Sequence, residues 1–226
     1  MLPNDETEQD RLDLHHHVFR LVLRGALFRA PIGTMDPHRV LDFGTGTGIW
    51  AIDFADDSPG AHVIGTDLSP IQPKFVPPNC NFYVDDVESD WTYREDEKFD
   101  FIHGRSMGGS IEDWPRLHGQ VFKHLKPGGW FEMQEYEAWI GDRDDPELTK
   151  APNIKKWVDL CVEASVMFGK SLSVAKEQKQ YMIDAGLTDV HDDVFTVNAA
   201  ILRYKPNATL MPTHRYPLEL GQKIRS

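Results

Sequence analysis

A short apolar run, RVLDF (39–43), empties directly into Gly-Thr-Gly-Thr-Gly, and an apolar helical pattern, IWAIDFA (49–55), begins at once. Strand, tight loop and helix is the order this pattern dictates. Gly44, Gly46 and Gly48 can take backbone conformations closed to other residues and let a ligand approach the main chain. A helix starting at the end of such a loop aims its free N–H groups into a crevice. In a doubly wound sheet, that crevice lies at the carboxyl ends of the strands, where ligands bind.

The remaining pattern extends the same architecture. Strands are predicted at HVIGTD (62–67), NFYVDD (81–86), FDFIHG (99–104) and WFEMQEYE (130–137), the last after a turn at LKPGG. Helical spacing covers 4–29, 111–125, 153–168 and 173–185, with Gly186 as a stop. LTDVHDDVFTV (187–197) reads as a further strand or strand pair. Alternation of this kind predicts an α/β fold, a doubly wound Rossmann-like sheet, mostly parallel, with helices on both faces. Three parts follow: an N-terminal helix and linker covering the site (1–35), a ligand-binding core (36–198), and a tail (199–226) with three prolines and no periodicity.

Composition narrows the partners. The 226 residues are 40% hydrophobic, enough for one domain with a core. A net charge of −12 argues against gripping nucleic-acid phosphates or anionic membranes. Cys80 and Cys161 are far apart, match no metal-ligand spacing and point to a reducing compartment. No apolar run approaches the ~20 residues that span a bilayer. The acidic N-terminus is unlike a secretory signal. A soluble, cytoplasmic protein is expected, with a nuclear location as the alternative.

The loop also selects its ligand. Asp42 precedes it, and Ile49 stands where a dinucleotide loop carries a small residue. A carboxylate beside a pyrophosphate is repelled; beside the ammonium and sulfonium of S-adenosylmethionine (SAM) it is attracted. Asp67, about 20 residues on, can accept from both ribose hydroxyls. Asp85 and Asp86 end the third strand on opposite sides, and Asp86 is favoured for the adenine amino group. His103 can line the methionine end of the cofactor or act as a base. The predicted cofactor-binding set is Asp42, Gly44, Thr45, Gly46, Gly48, Asp67, Leu68, Asp86, Val87 and His103, with His103 the catalytic candidate. Glu135 and Glu137 are placed facing the acceptor, and Trp130, Trp139 and Trp157 as candidate pocket walls. His15, His16 and His17 point about 100° apart on a helix and cannot converge on one metal, so no metal is predicted. A short-chain reductase is disfavoured because no Tyr-x-x-x-Lys pair follows the fourth strand.

LPNDETEQDRLDLHH, VLDFGTGTGIWAIDFAD, VIGTDLSPIQPKFVPPNCNF, FDFIHGRSMGGSIEDW and LKPGGWFEMQEYE together resemble the LaeA-type methyltransferases of filamentous fungi, over most of residues 2–197. The resemblance implies a SAM-dependent enzyme in fungal secondary metabolism, methylating an oxygen or nitrogen of a small natural product. The alternative it implies is a regulator working through velvet-type partner proteins. By position, Asp42, Gly44, Gly46 and Gly48 match the family's cofactor loop, Asp67 its ribose acid and Asp86 its adenine-side residue. The segment after residue 198 departs from the family pattern. It reads as a truncated or alternatively spliced end that would leave the sheet incomplete at its C-terminal edge and the form inactive.

Overall fold

The structure, a computed structural model, describes residues 3–33, 38–137, 145, 147–196 and 223–225. Seven strands form one sheet: β1 (Arg39–Phe43), β2 (His62–Asp67), β3 (Cys80–Val84), β4 (Phe99–Arg105), β5 (Leu125–Tyr136), β6 (Val194–Thr196) and β7 (Lys223–Arg225). Their order is β3-β2-β1-β4-β5-β7-β6. β1 to β5 are parallel, whereas β7 runs antiparallel between β5 and β6.

Burial explains why β1 is central. Val40, Leu41 and Phe43 are at most 1% exposed, and successive side chains enter opposite faces. Val40, Val63 and Phe101 join one core, with Trp50, Ala51 and Phe54 of helix α2 (Ile49–Asp57). Leu41, Ile64 and Ile102 join the other, with Leu117 and Val121 of α3 (Trp114–His124) and Met182 of α5 (Gln178–Asp184). Each fully buried side chain of this size contributes about 1.5–3 kcal/mol. A strand buried on both sides is mostly apolar, and within β1 Asp42 is a carboxylate buried between the two cores.

Helix α1 (Glu6–Val22) is capped by Asp5, whose carboxylate accepts from the Glu8 N–H at 2.9 Å. It stops short of the predicted residue 29 because Arg24 and Gly25 both take positive φ, and the Gly25 N–H closes onto the Arg20 carbonyl. α3 starts at Trp114, after the Asp113 cap, so Ile111 is buried in the preceding loop rather than in the helix. β3 ends at Val84, leaving Asp85 and Asp86 beyond it. β5 begins at Leu125 rather than at 130, with its register shifting opposite Phe99–Phe101, so LKPGG enters the strand as an irregular stretch. α5 is shorter than predicted, beginning at Gln178. Helix α4 (Pro152–Met167) has no buried residue.

Trp139 and Val197 lie outside the described residues, as does most of the tail. Of the tail, Lys223–Arg225 are described, and they form β7. The doubly wound α/β sheet is thus present, with two three-residue strands at its C-terminal side. The outer flank of β6 has no partner strand among the described residues.

Candidate functional site

The carboxyl ends of β1, β2 and β4 converge on the glycine loop. Gly44, Gly46 and Gly48 have φ of 62°, 58° and 81°, conformations that L-side chains rarely adopt. A Cβ at Gly44 would collide with Met107, and one at Gly48 with the Phe82 ring. The turn is fastened from below: the Thr45 N–H donates to the Thr66 carbonyl at 2.9 Å and the Gly48 N–H to the Thr45 carbonyl at 2.9 Å.

Asp42 lies beneath this turn at 3% exposure. Its Oδ2 accepts from the Thr45 hydroxyl at 2.6 Å and its Oδ1 faces His103 Nδ1 at 2.7 Å. A carboxylate only accepts, so Nδ1 carries the proton. The His103 ring lies flat on Trp50, with centroids 3.8 Å apart and an interplanar angle of 4°. His103 is fully buried, and its Nε2 has no partner in the interior. The structure thus gives the catalytic candidate no open face: stacking on α2 turns it inward, toward Asp42.

Asp67 closes the loop from the β2 side. Its Oδ2 accepts from the Gly46 N–H at 2.8 Å and its Oδ1 from the Ser69 N–H at 2.9 Å. Gln72 adds a bond to the Gly46 carbonyl at 2.7 Å. Leu68 and Asp86 are exposed, and Asp86 accepts from the Glu88 N–H at 3.0 Å. Val87 packs against the α3-side core. Asp67 is therefore in contact with the glycine loop, whereas Leu68 and Asp86 stand farther out at the rim.

The other named residues are placed elsewhere. Glu135 is fully buried; its Oε2 accepts from the Met107 and Gly108 N–H groups at 2.8 and 2.9 Å, and burial pushes its carboxyl up to about 7. Glu137 lies 3.1 Å from the Ser173 hydroxyl and 3.3 Å from Lys176. Trp130 lines a cavity of about 420 Å³ off the early half of β5, away from the glycine loop. Trp157 is 61% exposed on α4. Neither tryptophan walls the crevice.

An N-terminal helix over the site was expected from the sequence; which residues of α1 reach the glycine loop was not. A cavity of about 50 Å³ sits on the loop, lined by Gly44–Thr47 and Asp42, by Leu12 and His15 of α1, and by Arg105. The Thr47 hydroxyl donates to Asp13 at 2.6 Å, clasping α1 onto the loop. His15 stacks edge-on against Phe19 and Tyr136, and burial with Arg105 and Arg11 nearby pushes its pKa down to about 4. His16 is buried between Arg105 and Asp53. The three histidines diverge, and no group of metal-ligating side chains occurs among the described residues. Arg105 follows directly after His103 and Gly104 in the sequence, and that adjacency was the available signal.

A methyltransferase domain family matches residues 14–192. The chain is 42% identical over 198 residues to methyltransferase pytC of Aspergillus terreus, covering 86% of this chain and 59% of that protein. It is 41% identical over 203 residues to the secondary metabolism regulator LAE1 of Cochliobolus heterostrophus, covering 87% of this chain and 65% of that protein. The chain thus spans about three fifths of the length of these relatives. Haemonchus contortus phosphoethanolamine N-methyltransferase 2, solved with SAM, shares the fold at a TM-score of 0.54 and 19% identity, over 81% of this chain and 39% of that one. Loop, buried acid and sheet order agree with the sequence match, and the chain belongs to the methyltransferase domain family.

Proposed function

We propose that the chain is a SAM-dependent methyltransferase acting on an oxygen or nitrogen of a small natural product. The observation that carries this reading is Asp42, a carboxylate held under a positive-φ glycine loop. The described residues fit the cofactor. The cavity on the loop is bounded by Asp42 and the backbone of Gly44 to Thr47 and has room for a small charged group. Asp42, Gly44, Thr45, Gly46 and Gly48 would hold the amino-acid end. Asp67 would hold the ribose through its spare lone pairs, and Asp86 with Leu68 and Val87 the adenine. Bound SAM supplies a methyl carbon activated by sulfonium.

The chain's own part is alignment and exclusion of water. Holding nucleophile and methyl in line can lower the barrier by about 7–11 kcal/mol. His103 serves this as a positioning residue: it fixes the Asp42 rotamer and, being sealed inside, takes no proton from an acceptor. α1 covers the glycine loop, and β1, β2 and β4 with α2 and α3 hold the two cores beneath it. Likeness to methyltransferase pytC supports the enzyme reading.

Calorimetry tests the reading. Wild-type protein is expected to bind SAM in the micromolar range, and Asp67→Ala or Gly46→Arg to bind at least tenfold more weakly. Equal heats for all three would overturn it. Likeness to the secondary metabolism regulator LAE1 favours a second reading, a regulator, for which we propose velvet-type partners and a nuclear setting. Co-purification of a velvet-type protein with wild-type chain, unchanged by Asp67→Ala, would favour that reading.

A further inference from the structure

Arg105 ends β4 with its guanidinium against the cavity on the glycine loop. Burial works against its charge, and Asp42 and Asp53 favour it only from a distance, with no direct ion pair among the described residues. One face covers the Phe19 ring at 5.0 Å, and Nη2 donates to His16 Nδ1 at 3.1 Å. His16 Nδ1 must then be the acceptor, so the imidazole is neutral and its Nε2–H donates to Asp53 Oδ2 at 3.1 Å. The two carboxylates in the neighbourhood are already engaged. Asp42 holds His103 and Thr45, and Asp53 holds His16 and Arg20, the latter at 2.6 Å. Burial first, and Arg105 second, push both His15 and His16 down to about 4.

A guanidinium removed from water is costly unless an anion meets it. Its planar fork matches a carboxylate in two parallel hydrogen bonds. The cavity it lines also touches Asp42 and the glycine loop, so an amino-acid head entering there finds an acid and a base on the same walls. We infer that Arg105, braced by His16, binds the carboxylate of the methyl donor's methionine portion. This rests on the SAM reading above and adds to it the group that selects an intact amino acid over a plain adenosyl thioether. α1 thereby contributes to ligand selection, because His16 and Phe19 fix the guanidinium.

Calorimetry on the full chain, with SAM and decarboxylated SAM as probes, tests it. Decarboxylated SAM keeps the ammonium, the sulfonium and the nucleoside and lacks only the carboxylate. Wild type is expected to prefer SAM at least tenfold. Arg105→Gln should lose at least tenfold for SAM while binding decarboxylated SAM within about twofold of wild type, and Arg105→Lys should fall between. Wild type that binds both ligands alike overturns the carboxylate assignment and leaves the SAM reading standing, and this comparison needs no variant to fold. So does an Arg105→Gln protein weakened equally for both. Wild type that binds neither overturns the SAM reading and this inference with it.

Discussion

At the residue scale, two side chains next to one another in space carry opposite messages. Asp42 is costly to bury, and the Thr45 hydroxyl and the His103 N–H offset that cost. In sequence a histidine at a strand end reads as a candidate base, whereas in the fold His103 faces the buried Asp42. The burial of His103 depends on Trp50, seven residues beyond Phe43 in a helix whose rotation no strand pattern encodes. Arg105, by contrast, looks in sequence like ordinary strand-end polarity, and its contacts with His16 and Phe19 exist only once α1 is in place. The glycines are the legible part, because φ sets their identity directly. Gly48→Ala places a methyl group at φ 81° against the Phe82 ring. It is expected to cost about 1–3 kcal/mol in urea unfolding and to weaken SAM binding. Gly119→Ala, in α3 with nothing near a Cβ, is the control and should gain up to about 1 kcal/mol.

At the element scale, every central strand and its crossover helix was readable, because apolar runs and periodicity record burial on two faces. The ends were less so. α1 was predicted to run to residue 29, yet Arg24 and Gly25 terminate it, and its docking over the loop depends on contacts from Asp13 and His16 to residues more than thirty positions away. Thr47→Val removes the hydroxyl of the Asp13 clasp at nearly constant volume. A hydrogen bond to a charged group is worth about 1.5–3 kcal/mol net, so amides of residues 6–22 should exchange at least tenfold faster, read by mass spectrometry. Unchanged protection would show the clasp to be incidental. Glu135 links β5 to the loop that carries Met107, and its carboxyl sits at about 7 against an ordinary 4.5. A native pKa above the unfolded one means the folded state holds its proton longer. The stability this gives is complete below about 4.5 and lost as pH rises through about 7, of the order of 3 kcal/mol. Melting temperature should therefore fall between pH 5 and 8, and Glu135→Gln should flatten that slope.

At the scale of the whole molecule, the two cores share β1, β2 and β4, and the glycine loop is the exit of the strand they share. A ligand seated there would touch the exit of the strand that both cores share and, through α1, the helix over the loop, so its binding energy would stabilise the fold as a whole. The C-terminal side is attached more lightly. β5 meets β7 at Glu135–Arg225 and Tyr136–Ile224, and β6 meets it over three pairs. No sequence rule could have placed Lys223–Arg225, because a three-residue strand has no periodicity to read. Residues 39–136 supply most of the buried apolar side chains, joined by Phe19, Leu23, Leu27 and Met182 from outside, so unfolding should follow one cooperative transition set by that core. A ligand present at a hundred times its dissociation constant and binding only the folded state adds about 2.7 kcal/mol. At about 2–4 °C per kcal/mol for a chain of this size, S-adenosylhomocysteine at that excess should raise the melting temperature by roughly 5–10 °C. The shift should vanish in Gly46→Arg, whose long side chain fills the cavity on the loop, while the unliganded variant still melts in one step. A chain whose cofactor crevice is closed by α1 would show no shift in either protein, and a chain destabilised at its C-terminal strands would show two transitions, only the later one responding to ligand.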